Sequence, residues 1–127
     1  MLPMRRIAEQ LKSGETDWTN IDHLYRALEQ MQPSPVVTLN RAVAVSKLQG
    51  PAAALALIDP LEKPLSGYFY YFGTRGAFLL QLGRNQEARA AFDRAISLAN
   101  TPAEAAHIRR HLDRLTQEAK EKAKENI

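Results

Sequence analysis

Apolar residues recur three and four positions apart along almost the whole chain. No segment keeps the period of two that a half-buried strand requires. Helix punctuation cuts this pattern into about seven helices, so the expected fold class is all-α. The first helix is expected over residues 3–12, where Ile7 and Leu11 are spaced i,i+4 and Gly14 stops it. A second follows a cap at Thr16 or Asp17. Trp18, Ile21, Leu24, Tyr25 and Leu28 form its apolar stripe, and Pro33 closes it. The third reads Pro33-Ser34-Pro35-Val36-Val37-Thr38-Leu39-Asn40-Arg41-Ala42-Val43-Ala44-Val45 and stops near Gly50. Ser34 suits its N-cap and Pro35 its first position. Pro51 opens an alanine-rich fourth helix that runs to Ile58, before Pro60. A fifth runs over about 66–82 and is stopped by Gly83. The sixth starts from an Asn85 cap and carries Ala88, Ala91, Phe92, Ala95, Ile96 and Leu98. The seventh opens on Thr101-Pro102-Ala103-Glu104, a capping box with proline at the first position. Its end, residues 118–127, carries alternating charges that suit a solvated, fraying tail.

The third helix poses the sharpest question. Between Val36 and Val45 only Thr38, Asn40 and Arg41 are polar, and a helix that is apolar nearly all round belongs in a core. A buried Asn-Arg pair has to find partners or serve a ligand. Arg41 neutralised by a carboxylate such as Asp59 or Glu29 is the structural reading. A groove-lining Asn40 and Arg41 is the functional one.

Internal periodicity suggests how the helices pair. Residues 70–100 fit a tetratricopeptide (TPR) template, with Gly76 and Gly83 at small positions, Ala88 and Ala95 at later small positions and Phe92 at the aromatic one. Gly50 and Gly83 lie 33 residues apart, close to one repeat. The expected architecture is a single TPR-like helical domain over residues 1–127: antiparallel helix pairs in a short right-handed array with a C-terminal capping helix.

Composition narrows the function classes. The 127 residues are 45% hydrophobic and 24% charged, with a net charge of +3 and the basic residues scattered among acids. No basic stripe emerges, so specific DNA binding by this chain alone is not expected. There is no cysteine, which excludes disulfides, thiolate catalysis and cysteine-based metal sites and agrees with a cytoplasmic location. The start lacks the apolar core of a signal peptide, and no apolar run approaches a membrane span.

Candidate chemistry is sparse. Glu104, His107 and His111 share a helix face at i, i+3 and i+7, a conceivable zinc site, but they lack the HExxH order and read as readily as a solvated pair. Ser13, Ser46 and Ser97 sit in no nucleophile elbow, and the glycines form neither a Walker loop nor a dinucleotide fingerprint. No catalytic residue, metal or cofactor is therefore expected. The run Tyr68-Phe69-Tyr70-Tyr71-Phe72 is denser than a core needs and projects all round a helix. In the repeat register, Asn40, Ala44 and Lys47 on the third helix and Tyr70, Ala77 and Gln81 on the fifth fall at inward-facing positions. They are expected to line a protein-binding groove with Arg41, Tyr71 and Arg75 at its rim. Gly73 and Gly76 are read as sites of close helix contact.

The string PSPVV-x-LNRAVAV, with Asp17-Trp18, Ile21, Leu24-Tyr25 and Leu28 before it and Gly50-Pro51, Leu82-Gly83-Arg84, Glu87-Ala88, Arg94-Ala95 and Leu98 after it, resembles the C-terminal TPR-like domain of extracytoplasmic-function (ECF) RNA polymerase sigma factors. The resemblance implies a domain that modulates transcription initiation through contacts with the sigma core, polymerase or a regulator. It also implies promoter-reading and polymerase-binding domains N-terminal to this segment. These are not in the sequence, which makes the chain an excised domain or a stand-alone relative. A free-standing peptide-binding adaptor and, from another class, a small metal-dependent enzyme using Glu104, His107 and His111 are the alternatives.

Overall fold

The computed structural model describes residues 16–125. The helix expected over 3–12, with Gly14 and Ser13, lies outside them. Among the described residues the chain is all-α, with six α-helices and one short 3-10 turn. It divides into two compact units between Pro64 and Leu65.

The first unit holds α1 (Trp18–Met31), α2 (Pro35–Gln49), α3 (Pro51–Ile58) and the 3-10 turn Asp59–Leu61. Asp17 caps α1 by accepting the Asn20 N–H at 3.1 Å. Ser34 occupies the cap position of α2, but its hydroxyl does not cap. Its carbonyl instead accepts from the Thr38 N–H at 3.1 Å and from the Thr38 hydroxyl at 3.3 Å. Gly50 alone joins α2 to α3 and adopts φ 97°, ψ 167°, a region essentially reserved for glycine. Pro51 then starts α3 with its preset φ. Central α2 packs on both α1 and α3. The buried apolar side chains here are Leu39, Ala42, Ala44 and Val45 of α2 and Ala54, Leu55 and Ile58 of α3. Despite its apolar composition, α2 leaves Val43 and Leu48 exposed.

The second unit holds α4 (Phe69–Gln81), α5 (Asn85–Leu98) and α6 (Pro102–Glu125). Packing runs from α4 to α5 and from α5 to α6. At the end of α4, Gly83 (φ 76°) closes a Schellman motif: Arg84 N–H donates to the Leu79 carbonyl at 2.9 Å and Gly83 N–H to that of Leu80 at 3.0 Å. Asn85 is the first residue of α5 rather than its cap; Arg84 takes the cap position and pairs with Glu87. The residues that fit the repeat template meet at the α4–α5 contact. A Cβ at Gly76 would stand 2.5 Å from Cε1 of the fully buried Phe92, so only glycine lets the two helices approach this closely. Gly73 is looser, with Ile108 Cδ1 at 3.4 Å from where its Cβ would be. The expected capping box forms at the start of α6: Glu104 N–H donates to the Thr101 hydroxyl at 3.1 Å, and the Glu104 carboxylate accepts the Asn100 N–H at 2.8 Å. Ile108 and Leu115 are the buried residues of α6, and residues 116–124 are all exposed.

Candidate functional site

Arg41 is the centre of the most developed polar cluster. Helix α1 presents Asp22 and Glu29 two turns apart on the face that meets α2. Arg41 Nε donates to Asp22 Oδ1 at 3.0 Å, and Nη1 donates to Glu29 Oε2 at 3.2 Å. Arg26, one turn along α1, reaches Asp22 Oδ2 at 3.1 Å. Asp22 is the one buried charged residue among those described. A guanidinium shared by two carboxylates is a neutralised, directional lock between helices. Glu29 was among the carboxylates expected for Arg41; Asp22 was not. The signal available was Asp22 and Glu29 at i,i+7 in a helix facing an arginine.

Beside this lock, Glu29, Pro33, Ser34, Pro35, Thr38 and Leu61 line an open hollow of about 370 Å³. Oε1 of Glu29 is buried without a hydrogen-bond partner. The hydroxyls that line the hollow are those of Ser34 and Thr38, and the latter donates to the Ser34 carbonyl.

The groove residues fall into separate units. Asn40, Arg41 and Lys47 belong to the first; Tyr70, Tyr71, Arg75 and Gln81 belong to the second. Asn40 is exposed rather than part of a buried pair. Lys47 is exposed, with its Nζ 5.8 Å from the centroid of the Trp18 ring, a cation–π contact. Tyr70 is 61% exposed and Gln81 is exposed. Tyr71, expected at the rim, is instead fully buried. It shares the inward face of α4 with Phe78 at i+7, and its ring meets Phe72 edge-on at 5.1 Å. Arg75 is half-buried.

The aromatic run sorts by this rotation. Tyr68 and Tyr70 lie outward with ring centroids 6.3 Å apart, and Phe69 meets Tyr70 edge-on at 5.9 Å. The Arg94 guanidinium lies 5.7 Å from the Phe72 ring and donates to the Ser66 carbonyl at 3.4 Å.

On α6, the His111 ring stacks on Phe92 at 5.3 Å with an interplanar angle of 12°, and His107 meets it edge-on at 5.2 Å. Burial pushes the His111 pKa below its ordinary value, helped by the positive fields of His107, Arg114 and Arg110. Glu104 is engaged in capping, and among the described residues no three His, Cys, Asp or Glu side chains converge as metal ligands would. The Ser46 and Ser97 hydroxyls donate to the Val43 and Arg94 carbonyls of their own helices at 2.6 Å. Ser13 lies outside the described residues.

No family model matches the chain, and no solved structure does. It is similar to part of a longer protein. An uncharacterized protein of Rhizobium meliloti (strain 1021) is 66% identical over 104 residues, which cover 82% of this chain and 25% of that relative. The chain thus spans about a quarter of the relative's length.

Proposed function

We propose that this chain is a helical protein-interaction and regulatory domain of an ECF-type RNA polymerase sigma factor, acting in the cytoplasm to modulate transcription initiation. One observation carries the reading. The residues of the sigma-factor resemblance are those that build the first unit: Asp17 caps α1, Pro35 opens α2, Arg41 ties α2 to α1, and Gly50-Pro51 turns α2 into α3. The first unit also exposes the apolar side chains Leu24, Leu28, Met31, Val43 and Leu48, chemistry suited to protein partners. The proposed partners are the sigma core, RNA polymerase or a regulator, without a cofactor or metal. The length of the Rhizobium relative is in keeping with a domain that works as part of a larger protein. Among the described residues no helix is long and apolar enough to cross a membrane.

The test uses the intact Rhizobium relative. Co-elution with core RNA polymerase on size exclusion is expected, together with altered transcript output when its matched segment is deleted. A relative that fails to bind core polymerase overturns the reading.

A further inference from the structure

Helix α1 turns Asp22 inward, with Trp18, Ile21 and Tyr25 half-buried on the same side, while Leu24, Leu28 and Met31 are 40%, 46% and 82% exposed. These three stand at i, i+4 and i+7. At 3.6 residues per turn they form one stripe, roughly 140° around the helix from the Asp22–Glu29 face that grips Arg41. The Arg41 lock, with Trp18, Ile21 and Tyr25 on its side of the helix, leaves this second apolar stripe outward. A stripe with that spacing is the anchor pattern of helix-to-helix recognition. By contrast, the exposed end of α6 beyond Thr116 carries Glu118, Lys120, Glu121, Lys122 and Lys124, with alanine as its only apolar residue, as a solvated cap should.

We infer that the outward face of α1 is a docking surface for an amphipathic α-helix, supplied by polypeptide such as the Rhizobium relative carries beyond its matched quarter. This rests on the chain working as one part of a longer protein, as the proposed function holds, but not on that protein's activity. The chemistry of the face selects such an occupant. The stripe itself holds no cation. Arg26 lies off it and is already paired with Asp22 at 3.1 Å, so among the described residues of α1 an anionic lipid surface or a nucleic-acid backbone finds no basic rim. An uncharged, exposed aliphatic row is matched by another aliphatic row. The Rhizobium relative has three quarters of its length available to provide one.

The chain contains no cysteine, so Leu28→Cys places a single thiol in the stripe. Gln30→Cys, on the exposed far side of the same helix, is the control. Both substitutions are also made at the aligned positions of the intact Rhizobium relative, whose other cysteines are changed to serine. Maleimide labelling at position 28 is expected to be fast in the 127-residue chain and about tenfold or more slower in the intact relative, with the control fast in both. Leu24→Glu with Leu28→Glu is expected to lower the melting temperature of the relative and to leave that of the 127-residue chain unchanged. Fast labelling at position 28 in both proteins overturns the inference. So does slow labelling in the isolated chain: light scattering then distinguishes a second copy on the stripe (a dimer) from the chain's own segment (a monomer). Equal protection of positions 28 and 30 also overturns it. Failure of polymerase binding with protection intact would sink the sigma-factor reading and spare this one.

Discussion

Replacing Arg41 by alanine removes one guanidinium from two carboxylates at once. The Arg41 side chain is 16% exposed, Asp22 9% and Glu29 23%, so the charges left behind are largely cut off from water. Breaking a fully buried pair costs about 3–5 kcal/mol, because the abandoned charge stays desolvated. Two features reduce that here. Arg26 still reaches Asp22 from a side chain that is 54% exposed, and Glu29 retains some solvent. A loss of about 2–4 kcal/mol is expected, a large share of the roughly 5–15 kcal/mol that holds a domain folded. With a urea slope of about 1.5 kcal/mol/M, the midpoint should fall by about 1–3 M. Circular dichroism melts in urea read this directly. Adding Asp22→Asn and Glu29→Gln to Arg41→Ala removes the orphaned charges and should restore more than half of the loss. A single-variant loss below about 1 kcal/mol, as expected of a solvent-facing charge, would refute the lock. A triple variant no more stable than the single one would refute its electrostatic origin.

Gly76→Ala should destabilise by about 1–3 kcal/mol although alanine is the better helix former, since its Cβ would meet the buried Phe92 ring at 2.5 Å; a higher melting temperature would refute the close approach. Gly50→Ala should cost about 1–3 kcal/mol from the positive φ alone, as no atom lies within 4 Å of its Cβ position, whereas Gly67→Ala, equally uncrowded and without a positive φ, should be neutral or slightly stabilising in thermal melts. For His111 the folded pKa lies below the unfolded one, so the unfolded chain binds more protons and stability falls as pH drops through and below about 6.5. Urea midpoints at several pH values should show this fall, and His111→Phe, which keeps a ring against Phe92, should flatten it. Fluorescence anisotropy with duplex DNA at about 150 mM salt should show no sequence-dependent binding by the chain alone, and sub-micromolar specific binding would overturn that expectation.

Most helix boundaries were legible in the sequence, because those signals are local, although Asn85 begins α5 instead of capping it and the helix expected from about residue 66 starts at Phe69. Asp17, Pro35, Gly50-Pro51, Gly83 and Thr101-Pro102-Glu104 act within a turn of themselves, through a missing N–H, a positive φ or a side chain reaching back to the backbone. The repeat register marked Gly76 as a small position of close helix contact and Phe92 as the aromatic one; that the two meet each other was shown only by the packing. Rotation of each helix about its axis was not legible. The pattern of α1 announces one apolar stripe of Trp18, Ile21, Leu24, Tyr25 and Leu28, but the fold half-buries Trp18, Ile21 and Tyr25 and exposes Leu24 and Leu28, a rotation shared with the ion pairs of Arg41, 19 residues from Asp22 and 12 from Glu29. Tyr70 and Tyr71 are adjacent and chemically identical, yet one is 61% exposed and the other not at all, because α4 turns only Tyr71 into the core. The same dependence on the neighbouring helix placed His111 over Phe92. Periodicity specifies that a face exists; only the packing partner, remote in sequence, decides whether burial or ion pairing sets which way it points.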